Sequence, residues 1–268
     1  MAIARDKFWI FGVRPHQDDI FLGRKYMWSR ITPGEAALML DVPNMIMVNC
    51  DGIPVPFSKD AYGYAESFCS MNNVLWGVTG SGGFRIGNEE KFVCELADKY
   101  PYVTGAFMDD FFGKFRHDPD PNASAEALLS EIRGGLDKAN RHMDLYVVWY
   151  THELEAVDKK LLSYIDGITL WTWESKNLVN LRENFEIIEK NFVNQKKLLG
   201  IYMFDFTTKE PLTDEQMELQ CEFGLEMMKE GRLDGMIFET NSVMGVGLPS
   251  EMWLRDWVKK VKNTEIPD

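Results

Sequence analysis

Val103–Gly113 reads VTGAFMDDFFG, an apolar run of strand character that stops at two adjacent aspartates, Asp109 and Asp110, set among aromatic residues. Carboxylates are costly to bury, so a pair placed directly at the end of such a run points to a site that needs it. The same arrangement recurs along the whole chain. Apolar runs at 8–13, 45–49, 74–78, 103–108, 145–150, 167–172, 198–204 and 235–238 each give way to polar residues.

Between these runs lie stretches of helical periodicity. Thr32, Pro33 and Glu35 supply a cap, a first-turn proline and a capping-box acid for a helix running to about Asp41. A second helix is expected near 58–71, and Phe92, Leu96 and Tyr100 mark one face of a third. Leu128, Ile132 and Leu136 do the same further on, and 154–164 reads as a shorter helix. Leu181, Phe185 and Ile188 belong to a long amphipathic segment, and Thr213 with Gln216 forms a second capping box. Trp253, Trp257 and Val261 give the inner face of a closing helix. Strand and helix alternate in about eight units over about 250 residues, which predicts an α/β chain folded as one closed (β/α)8 TIM barrel spanning 1–268. An open doubly wound sheet is the competing arrangement, but no glycine-rich dinucleotide fingerprint follows the first strand.

Composition narrows the partners. The chain has 268 residues, 45% of them hydrophobic and 26% charged, and a formal net charge of -13. Phosphate recognition rests on clustered Lys and Arg, so nucleic acid and anionic membrane are excluded as expected partners, and a small neutral molecule or an oligosaccharide fits better. Cys50, Cys69, Cys94 and Cys221 have no metal-binding spacing and read as reduced thiols. With no export signal in MAIARDKFWIFGV, a cytoplasmic protein without cofactor is expected.

In a barrel of this kind, residues just past each strand converge on one mouth. Here they are Arg14, His16, Asp18 and Asp19 after the first strand, Asp51 after the second, Thr79 and Ser81 after the third, and Asp109 and Asp110 after the fourth. His152 and Glu153 follow the fifth, Trp173 and Glu174 the sixth, Asp205 the seventh, and Glu239 and Asn241 the eighth. An acid therefore follows every strand except the third. Taken singly, each acid has an ordinary reading as a helix cap, loop anchor or ion-pair partner. Asp109, Asp110 and Asp205 stand out because they directly end uninterrupted apolar runs. The long first loop, 14–30, is expected to fold over the mouth and bring His16 or Asp18 towards Asp109.

Reaction classes can be sorted by missing signals. The chain has no GxSxG elbow, no HExxH, no phosphate-binding loop and no Cys–His neighbour pair. Carboxylates and tryptophans remain. Two carboxyl groups across a cleft can protonate a glycosidic oxygen and attack the anomeric carbon or activate water. Trp171, Trp173, Trp149, Trp76 and Trp28 lie in or near strand ends, where one or two of them could stack on a sugar while the rest pack the core. The chemical competitor is a divalent-metal-dependent, isomerase- or aldolase-like site in which His16 and His152 join Asp51, Asp109 or Glu239.

The segments GAFMDDFF (105–112), LWTWES (170–175) and GIYMFDF (200–206) together resemble the (β/α)8 glycoside hydrolase-like proteins. The resemblance implies one catalytic acid at the fourth strand and a partner from the sixth or seventh, hence Asp109 or Asp110 with Asp205 or Glu174. It implies carbohydrate as ligand, and by their places in or near strand ends Arg14, His16, Asp18, Asp51, His152, Trp171, Trp173, Glu239 and Asn241 are the residues expected to bind it. Proteins of this kind also include catalytically silent relatives, so a barrel that binds a sugar or partner without turning it over stands as the alternative.

Overall fold

The computed structural model describes residues 1–15, 29–156 and 158–267. Eight parallel strands close on themselves: β1 (Phe8–Gly12), β2 (Asn44–Met47), β3 (Asn73–Thr79), β4 (Val103–Met108), β5 (Asp144–Tyr150), β6 (Gly167–Trp171), β7 (Lys196–Ile201) and β8 (Gly235–Phe238). Closure is made by β8 pairing with β1, Phe238 standing opposite Ile10. The eight expected runs are therefore the eight barrel strands. Most boundaries move by a residue or two, and the largest change is in β7, which begins at Lys196 and stops at Ile201.

Seven α-helices among the described residues pack outside: α1 (Pro33–Leu40), α2 (Lys59–Ser67), α3 (Glu89–Lys99), α4 (Pro121–Leu136), α5 (Leu181–Asn191), α6 (Asp214–Lys229) and α7 (Pro249–Val261). Both capping boxes form. Thr32 Oγ1 accepts from the Glu35 amide while Glu35 accepts from the Thr32 amide, and Thr213 and Gln216 exchange the same pair of bonds at α6. These bonds satisfy amides that a first helical turn otherwise leaves unpaired.

The helix expected at 154–164 is not formed. Two 3-10 turns, Thr151–Ala156 and Leu161–Tyr164, stand between β5 and β6 instead. The Asp158 side chain accepts from the Lys160 amide, and its carbonyl accepts from Leu161 in an i to i+3 bond. Such local side-chain bonding competes with α-helical pairing.

Strand alternation decides what enters the barrel. Trp9, Ile46, Leu75, Phe107, Tyr146, Val148, Leu198 and Ile237 form the inner cluster. Their sequence neighbours Phe8, Ile10, Met45, Val74, Trp76, Ala106, Leu145 and Leu199 belong to the larger layer under the helices. Trp76 and Trp149 lie in that outer layer, against Phe92 at 5.6 Å and Phe192 at 4.8 Å between ring centroids. Both are core packing and neither reaches the mouth. At the opposite end of the barrel, a short antiparallel pair joins Ala2–Ile3 to Glu265–Ile266.

Candidate active site at the C-terminal mouth

Counting by twos from the inner cluster leads directly into the mouth. Phe107 is followed by Asp109, Tyr146 and Val148 by Tyr150, Leu198 and Gly200 by Tyr202, and Ile237 by Glu239. These four, with Phe11, Val48, Val148 and Trp171, line a cavity of about 390 Å³. Its floor is apolar and aromatic. Trp171 lies 5.6 Å from Phe11 and 5.0 Å from Tyr202 by ring centroid, its indole N–H donating to Thr169 Oγ1 at 2.9 Å. Gly200 makes room for that ring: a Cβ there would sit 2.1 Å from Trp171.

Both adjacent aspartates face the cavity, although strand alternation alone would turn the second away. Asp110 adopts a left-handed backbone, φ 45°, which bends the chain immediately after the inward Asp109. Asp110 is also bonded to its neighbours. Its Oδ1 accepts from the Tyr150 hydroxyl at 2.6 Å and its Oδ2 from the Gly82 amide at 2.9 Å. The Asp109 backbone is pinned in turn, its carbonyl accepting from Thr79 Oγ1 at 2.7 Å.

Electrostatics separate the two. Burial, and then the charge of Asp110, push the Asp109 carboxyl well above the ordinary carboxylate range, with an Asp110 backbone bond offsetting a small part. Asp109 still opens onto the cavity through its partly exposed surface. Proximity of like charge and loss of solvent both favour the neutral acid. The surrounding phenols are held protonated as well. Tyr150 is raised by burial and by Tyr202, Asp109 and Asp110, and Tyr202 by burial and by Glu239, Asp109 and Asp110. The mouth thus gathers a carboxyl group and two phenols whose protonated forms are favoured by their surroundings, beside the hydrogen-bonded Asp110.

The other sequence candidates fall into three groups. Asp51 lies on the exposed cavity rim. Trp171 and Trp173 line the cavity, and Trp173 is 40% exposed, stacked on Phe206 at 5.9 Å and edge-on to Tyr150. Glu239 lines it too, while its Oε2 accepts from the Met203 and Phe204 amides.

A second group lies away from the main cavity. Asp205 is buried beneath a small hairpin, Phe204–Asp205 against Glu210–Pro211, and accepts from the amides of Ser175, Thr207 and Thr208. Burial raises its pKa, but those bonds outweigh it and leave the carboxyl below the usual range. Glu174 pairs with Lys176 at 2.9 Å and accepts from Asn177. Neither acid is among the residues that line the cavity with Asp109 and Asp110. Asn241 is fully buried and fastens the first loop: it accepts from the Val13 amide at 2.8 Å and donates to the Ile31 carbonyl at 2.7 Å. Arg14 lies near Tyr64, on which its charge acts. His152 is exposed and stacks on Tyr150 in an adjoining recess.

His16 and Asp18, with the body of the expected lid, lie outside the described residues. Ser29 is described, and its hydroxyl donates to backbone carbonyls of Asn241 and Met244, so the chain on both sides of that segment is tied to the β8 end of the barrel.

Among the described residues, the group of three ligand-type side chains close enough for one ion is His142, Asp144 and Asp166. It sits at the starts of β5 and β6, opposite the mouth, with Arg133 3.0 Å from Asp166 and Lys196 3.1 Å from Asp144. Its charge is already balanced by these cations. Sequence reading missed Tyr150 and Tyr202, although the two-residue period carrying the inner cluster outward identifies both.

Comparison with known proteins adds the architecture's company. The chain matches a GH99 endo-α-mannosidase from Bacteroides thetaiotaomicron with TM-score 0.61 at 8% identity, covering 97% of this chain and 99% of that one. It matches a glycoside hydrolase family 18 N-acetylglucosaminidase from Paenibacillus barengoltzii with TM-score 0.58 at 11% identity, covering 95% and 99%. The shared feature is the fold. A type I 3-dehydroquinate dehydratase from Clostridium difficile also matches, with TM-score 0.52 at 12% identity, covering 98% and 94%. No family model and no curated protein sequence matches the chain. No helix among the described residues is long and apolar enough to cross a membrane.

Proposed function

We propose that the mouth binds a carbohydrate and hydrolyses a glycosidic bond, with Asp109 as the proton donor. The observation that carries this reading is the inward Asp109, whose carboxyl burial and the charge of Asp110 push above the ordinary carboxylate range, in a cavity floored by aromatic rings. A carboxyl group that retains its proton near neutral pH can protonate a departing glycosidic oxygen. Asp110, fixed by Tyr150 and Gly82, is the carboxylate partner. It faces the positive charge that develops at the anomeric carbon and takes the proton of the incoming water. The C–O bond breaks, Asp109 gives its proton to the leaving oxygen, and water supplies hydroxyl to the sugar. Trp173 with Phe206 offers a flat apolar face on the rim for the sugar ring. Asp205, Glu174 and Asn241 act as loop anchors in this scheme.

Binding without turnover is the second reading. It is favoured by the two carboxyl groups being chain neighbours, where retaining and inverting hydrolysis ordinarily use carboxyls about 5–5.5 Å or about 6.5–9.5 Å apart on either side of the bond. The two readings separate on one experiment. Reducing-end release is measured across a panel of oligosaccharides with the wild type and D109N. Hydrolysis by the wild type alone supports the enzyme, whereas saturable binding by both without product supports the binder.

A further inference from the structure

The cavity does not end at Asp110. A second chamber of about 330 Å³ adjoins it, and the two share Asp110, Tyr150 and Trp173 as a common wall. The second chamber is built from different loops: Gly82 after β3, Gly113 and Arg116 after β4, and His152 and Glu153 after β5. On the carbohydrate reading above, we infer that the substrate is a chain of at least two sugar units lying across this wall. One unit sits over the aromatic floor of the first chamber and the unit to be released sits in the second.

Four observations support this placement. The wall shared by both chambers contains the hydrogen-bonded carboxylate, so a chain occupying both must carry its linking bond past Asp110. The second chamber has its own flat face, because the His152 ring lies nearly parallel to Tyr150, 10° apart with centroids at 5.4 Å. It also has a polar edge suited to hydroxyl groups. Arg116 and His152 both act on the half-buried Glu153, whose Oε2 accepts from the Tyr150 amide at 3.2 Å. Two bare positions keep the chamber open, since nothing lies within 4 Å of a Cβ built at Gly82 or Gly113. An apolar face with a polar rim matches the two surfaces of a sugar ring. A site for a single sugar has no use for the second set.

Calorimetric titration of D109N with glucose, N-acetylglucosamine and mannose oligomers of one to four units tests the inference. In a series that binds, affinity should rise about tenfold or more between one unit and two or three. In D109N carrying R116A and H152A as well, that increment should disappear, so that affinities for short and longer members converge. Affinity independent of length, or an increment unchanged in the triple variant, overturns the two-chamber assignment while leaving carbohydrate binding in place. Binding by none of the three series removes both readings together. Circular dichroism of each variant verifies that a lost increment is not a lost fold.

Discussion

Replacing Asp109 with Asn separates chemistry from folding, because the two effects have opposite signs. Loss of proton transfer should reduce kcat by about 10²–10⁴, or about 2.7–5.4 kcal/mol of transition-state stabilisation. Stability should move the other way. The folded protein holds the Asp109 carboxyl above its ordinary value, so an unfolded chain at neutral pH gains by ionising it and the folded chain bears the cost. Each unit by which the folded value exceeds the unfolded one is worth about 1.4 kcal/mol. That cost is absent below the unfolded pKa of about 3.9, grows as pH rises towards the folded value, and is constant above it. An Asn side chain remains neutral throughout and keeps an acceptor for the Asp110 amide. D109N should therefore equal the wild type in stability near pH 3.5 and match or exceed it at pH 7, by about 2–4 °C in Tm for each kcal/mol relieved. Urea unfolding across pH 3.5–8 reads the stability, and initial rates of glycan hydrolysis read the chemistry. In the wild type, kcat/KM should fall as pH rises through the raised pKa, because the acid form is the active one. A variant within tenfold of wild-type turnover, or one less stable than wild type by the same amount at every pH, would refute the assignment of Asp109 as a buried neutral acid.

Tyr150→Phe removes the hydroxyl that donates to Asp110 and should lower kcat by about tenfold to a hundredfold with the fold intact, the value of a hydrogen bond to a charged group; unchanged kcat would exclude Asp110 as a charged partner. Asp205→Ala removes the acceptor for three amides and should destabilise the protein by about 3 kcal/mol. Because the Asp205 pKa is lowered on folding, its contribution is present above the unfolded value and lost as pH falls through the folded one. The stability difference measured by urea titration should accordingly shrink in acid, and a large activity loss in still-folded protein would return Asp205 to the chemistry. Trp173→Ala should change stability by less than about 1 kcal/mol yet weaken oligosaccharide binding severalfold, as read by calorimetry. Gly200→Ala drives a methyl group into the Trp171 ring and should cost about 1–3 kcal/mol by overpacking; a crystal structure with an undisturbed indole would contradict that reasoning.

The barrel was legible in the chain because its causes are local and repeated. Apolar runs with period two and caps such as Thr32–Glu35 and Thr213–Gln216 specify strands and helices by nearest-neighbour chemistry, and their alternation leaves little choice of architecture. The one absent helix, 154–164, failed for an equally local reason in the hydrogen bonding of Asp158. The site was only half legible. Asp109 and Asp205 look alike in sequence, each ending an apolar run, but β4 runs to Met108 and hands its inward parity to Asp109, while β7 stops at Ile201. Beyond that stop the chain turns into the hairpin that points Asp205 at backbone amides. Parity also marks Tyr150, Tyr202 and Glu239 as inward residues, so the sequence alone determined this part of the crown, while Asp110 enters the cavity only through its left-handed turn. Tertiary structure decided what those groups are chemically. The upward shift of the Asp109 carboxyl depends on burial by the surrounding barrel and on the neighbouring charge of Asp110, whose left-handed turn is held by bonds from Gly82 and Tyr150, 28 and 40 residues away. A pKa is a property of the surroundings of a group, and in a closed barrel those surroundings come from every part of the chain.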